Sequence, residues 1–291
     1  MREDAPEKPG ETSEKSSRDP IPLTVSASQI PPFPETVPCK APTSPENGAP
    51  GKPWGFWVTI ALGTVIFLAV VVAEAMVGVV AILVNDSLNE SHSIPRTEIV
   101  YSGFILSLMS LIGTPVSCGL SILFASLRKN LTIRDYLGLR WPSLTLFLRW
   151  VTGLIVLIIL SDIATKLSGG QVVPDFMIEA HRTAGFLPLF YFAIIVAAPL
   201  SEEFLFRGFL LEGLRYSWLG KWGAVTVTAV AWAALHVQYD FRGILTVLAI
   251  GLLLGYARIR TGSLWLCALL HLMTNFIASI ELLVYLKWFQ N

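Results

Sequence analysis

Two adjacent glutamates and an arginine stand inside an otherwise apolar run, APLSEEFLFRGFLL, at residues 198–211. On a helix, Glu203 and Arg207 fall four residues apart on one face and can pair, whereas Glu202 is turned about 100° away from Glu203 and is left over. Two of the chain's 4 histidines follow in apolar context, His236 closing VTVTAVAWAALH and His271 within SLWLCALLHLMTNF. Asn275 comes at i+4 from His271, so an imidazole and a carboxamide share one helical face. A carboxylate, an imidazole on a second helix and a His/Asn pair on a third are the parts that hydrolyse an amide. The base takes a proton from water, and fixed donors hold the charge that develops on the carbonyl oxygen. The structural alternative is that Glu202 finds another donor in the bundle and the histidines only satisfy hydrogen bonds.

Other groups make weaker cases. Gly119-Leu120-Ser121 imitates a GxS nucleophile motif and Asp240 half of an aspartyl pair, but no GxGD completes the second. Glu74 and Asp162 are acids in apolar context and read as packing or polar-network groups. His92 and His181 lie in polar loops. Cys39, Cys118 and Cys267 are far apart and form no CxxC, which points away from a disulfide framework or a thiolate zinc site. No HExxH is present. Water activation without a metal is therefore the favoured chemistry and no cofactor is expected; the alternative is a zinc metalloprotease with Glu202, His236 and His271 as ligands.

The elements that must position these groups read as membrane helices. Of 291 residues, 53% are hydrophobic and 14% charged, and the mean hydropathy is +0.61. That composition belongs to an integral membrane protein rather than a soluble domain. The formal net charge is +0, and no basic run suggests nucleic acid. The start is polar throughout, so a cleaved signal peptide is not expected. Residues 1–53, rich in Pro, Ser, Thr, Glu and Lys, read as a disordered cytoplasmic tail.

From Trp54 onward, apolar runs each long enough to cross ~30 Å of hydrocarbon predict an all-α polytopic transmembrane bundle of about seven helices. They fall near 54–84, 99–127, 144–166, 186–214, 221–237, 243–259 and 262–288. Pro199 lies inside the fourth and predicts a kink or break, with SEEFLFRG opening a fresh helical stretch. Gly251 and Gly255 form a GxxxG that allows close helix packing. Arg128, Lys129, Arg134, Arg140 and Arg149 gather in the connection after the second span, and Lys52, Arg258 and Arg260 fall on the same side. Arg96 and Arg242 stand alone in the opposite connections, so the N-terminus is predicted to be cytoplasmic. Upright spans raise one conflict: Glu202 would lie near mid-membrane and His236 about 12 Å towards the far side, too far to share a water.

The set SEEFLFR, then WAALH, then HLMTN resembles the CPBP intramembrane endopeptidases, the type II CAAX prenyl protease or Rce1-like group, also called the abortive-infection family. Their pattern is EExxxR, an aromatic residue before a histidine, then HxxxN, matched here by Glu202, Glu203, Arg207, Trp232, His236, His271 and Asn275. Where Trp232 stands the family more often has Phe, a departure that touches packing rather than chemistry. The resemblance covers about residues 186–280, so the chain divides into the tail (1–53), N-terminal transmembrane helices (54–184), a catalytic core (185–280) and the end of the last helix (281–291). It implies that Glu202 with His236 activates water, that His271 and Asn275 stabilise the oxyanion, and that Glu203 with Arg207 is an internal brace. It implies a peptide or protein substrate among membrane lipids, in prenylated-protein processing a lipid-modified C-terminus cut at the cytoplasmic face. A non-enzymatic immunity or accessory protein of the membrane is the competing class.

Overall fold

The computed structural model describes residues 51–88 and 95–289, and every regular element among them is helical. Residues 1–50 of the tail expected to be disordered, with Cys39, lie outside the described residues, as does His92. In chain order the helices are α1 (Phe56–Leu88), α2 (Arg96–Val100), α3 (Gly103–Ser126), α4 (Ile133–Leu137), α5 (Leu144–Leu167), α6 (Asp175–Arg182), α7 (Leu187–Arg215), α8 (Gly220–Ala234), α9 (Phe241–Thr261) and α10 (Leu264–Phe289).

Among the described residues 6 helices are long and apolar enough to cross a membrane, namely α1, α3, α5, α7, α9 and α10. The chain is an integral, multi-pass membrane protein. Val72, Met76, Val80 and Leu83 on α1, and Val156, Ile159, Leu160 and Ile163 on α5, are exposed. Apolar rows of that size are tolerated where hydrocarbon, not water, covers them.

The run expected as a span at 221–237 forms a helix, but a short one. α8 has 15 residues, about 22 Å of helix against ~30 Å of hydrocarbon. It unwinds at Leu235 and His236, and the chain re-enters a helix at Asp240, whose carboxylate caps α9 by accepting the Gly243 N–H at 2.9 Å.

α7 departs from expectation at Pro199. No break occurs there: the helix runs on from Leu187 to Arg215, widened into π-helical turns over Ala193–Ala197 and Phe204–Leu210. The first widened stretch lies just ahead of Pro199 and takes up the ring and the missing N–H that would otherwise kink an α-helix. Side chains on α3 supply donors to the disturbed backbone. The Thr114 hydroxyl lies 2.8 Å from the Ala197 carbonyl, and the Ser117 hydroxyl 2.7 Å from that of Ser201.

One end of the bundle is closed by packing. The Trp54 indole N–H donates to the Phe124 carbonyl, the Leu264 N–H donates to the Gly138 carbonyl at 2.8 Å, and Ser263 donates to the Arg140 carbonyl. Arg258, buried at 2% exposure, reaches the Arg207 carbonyl at 3.1 Å and the Glu212 carboxylate at 3.1 Å. Arg215 grips the other Glu212 oxygen at 2.6 Å. Tyr136, Leu137, Phe209 and Leu264 fill the space between and are fully buried.

Candidate active site

The pair expected on one face of the SEEFLFRG helix forms: Arg207 Nη1 donates to Glu203 Oε1 at 2.6 Å, and both side chains are fully buried. Arg207 Nη2 also donates to the Gly251 carbonyl at 3.3 Å. Glu203 has a second partner that spacing could not show. His271 Nδ1 lies 3.1 Å from the same Glu203 oxygen, so Glu203 orients an imidazole on α10 while Arg207 compensates its charge.

Glu202 points elsewhere, as the 100° turn requires. Its Oε2 accepts the Trp232 indole N–H from α8. Trp232 therefore does more than pack: phenylalanine in its place has no N–H to give, so the departure from Phe expected to touch packing alone also supplies the donor that holds Glu202. The Trp232 ring also lies beneath Arg207, with Cζ 4.5 Å from the ring centroid, a cation–π contact in a desolvated setting. Gly251 makes room for it, since a Cβ there would sit 2.9 Å from Trp232 Cε3; a Cβ at Gly255 would meet Val225 at 2.9 Å. The GxxxG thus lets α9 approach α8, as expected.

His236 sits just past the end of α8, its Nδ1 2.9 Å from the Trp232 carbonyl. A carbonyl only accepts, so Nδ1 carries the proton and the neutral ring keeps Nε2 as its lone pair. The His271 Nδ1–H on Glu203 leaves Nε2 of that ring likewise. Both imidazoles stand edge-on to Trp232, with centroids at 4.9 Å for His236 and 5.2 Å for His271. Asn275, a turn beyond His271, donates Nδ2 to the Ile194 carbonyl at 2.7 Å. One amide hydrogen is thereby committed to the π-helical stretch of α7.

Glu202, Trp232, His236, His271 and Asn275 all line one cavity of about 640 Å³. Glu203 and Arg207 lie behind its wall. The conflict of depth between Glu202 and His236 disappears because α8 is short. At ~1.5 Å per residue Glu202 lies about 20 Å of helix before Arg215, and His236 about 24 Å beyond Gly220, where α8 starts. The two arrive at one level.

The cavity wall contains groups that motif spacing missed. Asp162 on α5 and Glu281 on α10 both line the cavity and interact with each other, in keeping with a polar-network role for Asp162. Glu281 was findable, because His271, Thr274, Ala278 and Glu281 recur at helical spacing on one face of α10. Tyr239, between α8 and α9, also lines the space; burial pushes its hydroxyl up to about 12, and the nearby charge of Glu202 adds to that. Ser121 is fully buried on α3 with no hydrogen-bond partner among the described residues, away from the cavity. Asp240 serves as the α9 cap and pairs with Arg242 at 3.2 Å. Glu74 packs against Gly113, where an added Cβ would lie 2.5 Å from its carboxylate. His181, expected in a polar loop, lies instead in the last turn of α6 and bonds the Tyr191 hydroxyl through Nδ1 at 3.0 Å.

For zinc, the alternative set was Glu202, His236 and His271. Among the described residues no three His, Cys, Asp or Glu side chains are grouped to hold a metal ion. Glu202, His236 and His271 meet around one indole and are not so grouped.

Residues 184–277 match the family model described as type II CAAX prenyl endopeptidase Rce1-like. The chain is also 35% identical over 111 residues to an "Uncharacterized 24.3 kDa protein" of Escherichia coli, a match covering 37% of this chain and 46% of that protein, so the chain spans about half the length of the relative. No solved structure matches it. The family model starts within three residues of α7 and ends just after Asn275, so it encloses every side chain that meets at Trp232. Over residues 184–277 this membrane protein is thus similar to the Rce1-like prenyl endopeptidases.

Proposed function

We propose that the chain is an intramembrane endopeptidase that hydrolyses a peptide bond with water activated by Glu202 and His236. A single indole carries the argument: Trp232 holds Glu202 by its N–H and is flanked edge-on by His236 and His271, so an acid and two imidazoles from three helices meet at one cavity wall.

In this mechanism a water donates a proton to the Glu202 carboxylate as its oxygen attacks the scissile carbonyl carbon. His236 Nε2 accepts a hydrogen bond from the same water and aligns it. The negative charge that forms on the carbonyl oxygen is held by donors on α10. Asn275 has one amide hydrogen left for that task. His271 donates from Nε2 when its ring carries a proton on both nitrogens. The C–N bond then breaks, the proton on Glu202 passes to the leaving amine, and the carboxylate is restored.

The substrate is a peptide segment of a membrane-associated protein, and the Rce1-like match favours a lipid-modified one. The test compares the membrane peptidome of cells carrying the wild-type chain, Glu202→Gln and His236→Ala, with the abundance of each variant measured in parallel. Cleavage products lost in both variants at unchanged abundance are expected; a Glu202→Gln chain that cleaves as well as wild type overturns the mechanism. Activity before and after chelation, with metal analysis of the pure protein, tests the metal-free route; a stoichiometric zinc whose removal abolishes cleavage overturns it.

A further inference from the structure

The two ends of the bundle differ in a way that decides where a substrate enters. The end that gathers the start of α1, the end of α3, α4, the end of α7, the end of α9 and the start of α10 is the packed one, stoppered by Arg258, Glu212, Tyr136, Phe209 and Leu264. The cavity is lined from the opposite end. Its wall includes Gly169 to Pro174 in the connection between α5 and α6, Gln238, Tyr239 and Asp240 in the connection between α8 and α9, and Arg242 at the start of α9. Arg242 ties those two connections together by donating to the Ser168 carbonyl at 2.8 Å. On the same end, the Gly103 N–H at the start of α3 donates to the Thr183 hydroxyl beyond α6 at 2.9 Å.

Charge separates the same two ends. The stoppered end carries Lys52, Arg128, Lys129, Arg134, Arg140 and Arg149, and further along Arg215, Lys221, Arg258 and Arg260. The open end carries Arg96, Lys166, Arg182, Arg242 and Lys287. Lysine and arginine close to the ends of spans are retained on the cytoplasmic side.

We propose that the cavity opens on the face of the membrane away from the cytoplasm, and that the substrate is a segment of a membrane-anchored protein exposed on that face. The assignment rests on the hydrolase reading for the word substrate, and on packing and charge alone for the side. It departs from the cytoplasmic processing that the resemblance to the prenyl protease group implies. Glu202 is reached from the open end past Gln238 and Tyr239, whereas a peptide coming from the cytoplasm would have to displace the buried Arg258–Glu212 pair.

Single cysteines in the full chain decide the side. Ser168→Cys, exposed at the open end, and Lys129→Cys, exposed at the stoppered end, are each made with Cys39→Ser, and the Cys39→Ser parent gives the background from Cys118 and Cys267. Intact cells are treated with a membrane-impermeant maleimide, then permeabilised and treated again. The expected result is labelling of S168C in intact cells and of K129C only after permeabilisation. Glu179→Cys, exposed on α6, repeats the first reading should S168C fail to accumulate. Labelling in the reverse order overturns the proposal, even where cleavage dependent on Glu202 stands. Labelling in the expected order without any cleavage dependent on Glu202 removes the hydrolase and the substrate assignment together.

Discussion

Trp232 donates its indole N–H to Glu202 across the boundary between α8 and α7. A hydrogen bond to a charged group contributes ~1.5–3 kcal/mol when neither partner is otherwise satisfied. In Trp232→Phe the ring and its contact with Arg207 survive in large part, but the donor does not. Cleavage is expected to fall by about tenfold or more, with a lowered melting temperature but a protein that still accumulates. Turnover at the wild-type level in W232F would show that the bond positions nothing that the reaction needs.

Arg207 compensates a carboxylate that is fully buried and that also carries His271. Arg207→Ala strands that charge, and breaking one partner out of such a pair costs ~3–5 kcal/mol. The expected outcome is loss of the protein itself, read as abundance in the membrane and as a lowered thermal transition in detergent. Arg207→Lys restores the charge but cannot reach both Glu203 and the Gly251 carbonyl in the fork geometry of a guanidinium. It is expected to accumulate partially. Wild-type stability of Arg207→Ala would mean that Glu203 is held by something other than this pair.

Gly251→Ala places a methyl group 2.9 Å from Trp232 Cε3 and 3.2 Å from Ala229 Cβ. Overpacking of this kind costs ~1–3 kcal/mol, and here the strained neighbour is the residue that holds Glu202. Gly255→Ala strains α8 at Val225 instead, about two turns away from the indole. Both variants are expected to melt earlier, while kcat is expected to fall more in G251A than in G255A. Equal kcat in the two would separate the GxxxG from the positioning of Trp232.

Gly138 ends α4 with φ of 70°, and an added Cβ would lie 2.5 Å from Arg258 Cζ. Gly138→Ala therefore pays twice, in backbone strain and in displacement of the Arg258 clamp. A marked loss of thermal stability is expected, with faster proteolysis of the connection between α3 and α5. An unchanged melting curve would show that the stoppered end tolerates movement of Arg258.

Much of this arrangement could be seen in the residues themselves. The Glu203–Arg207 pair is local to one helix, so four-residue spacing was sufficient to find it. The apolar runs were found for the same reason, since hydropathy averages over a window. What escaped depended on contacts between distant segments. Leu235 and Val237 prolong the apolar run beyond Ala234, which hid the early end of α8. The bond from Trp232 to Glu202 spans thirty positions and shows no periodic signal. The closing of Glu203 on His271 depends on how α10 meets α7, and Pro199 promised a break that the widened turns before it avoid.

Those widened turns set the phase of everything after them in α7. Each turn that closes one residue late, relative to an α-helix, swings the following side chains by about 100°. Deleting one alanine or isoleucine between Ala193 and Ala197 would leave the apolar character of the stretch intact. The segment would still insert, yet Glu202 would face a different neighbour, and the acid would be separated from its two imidazoles by a change invisible to hydropathy.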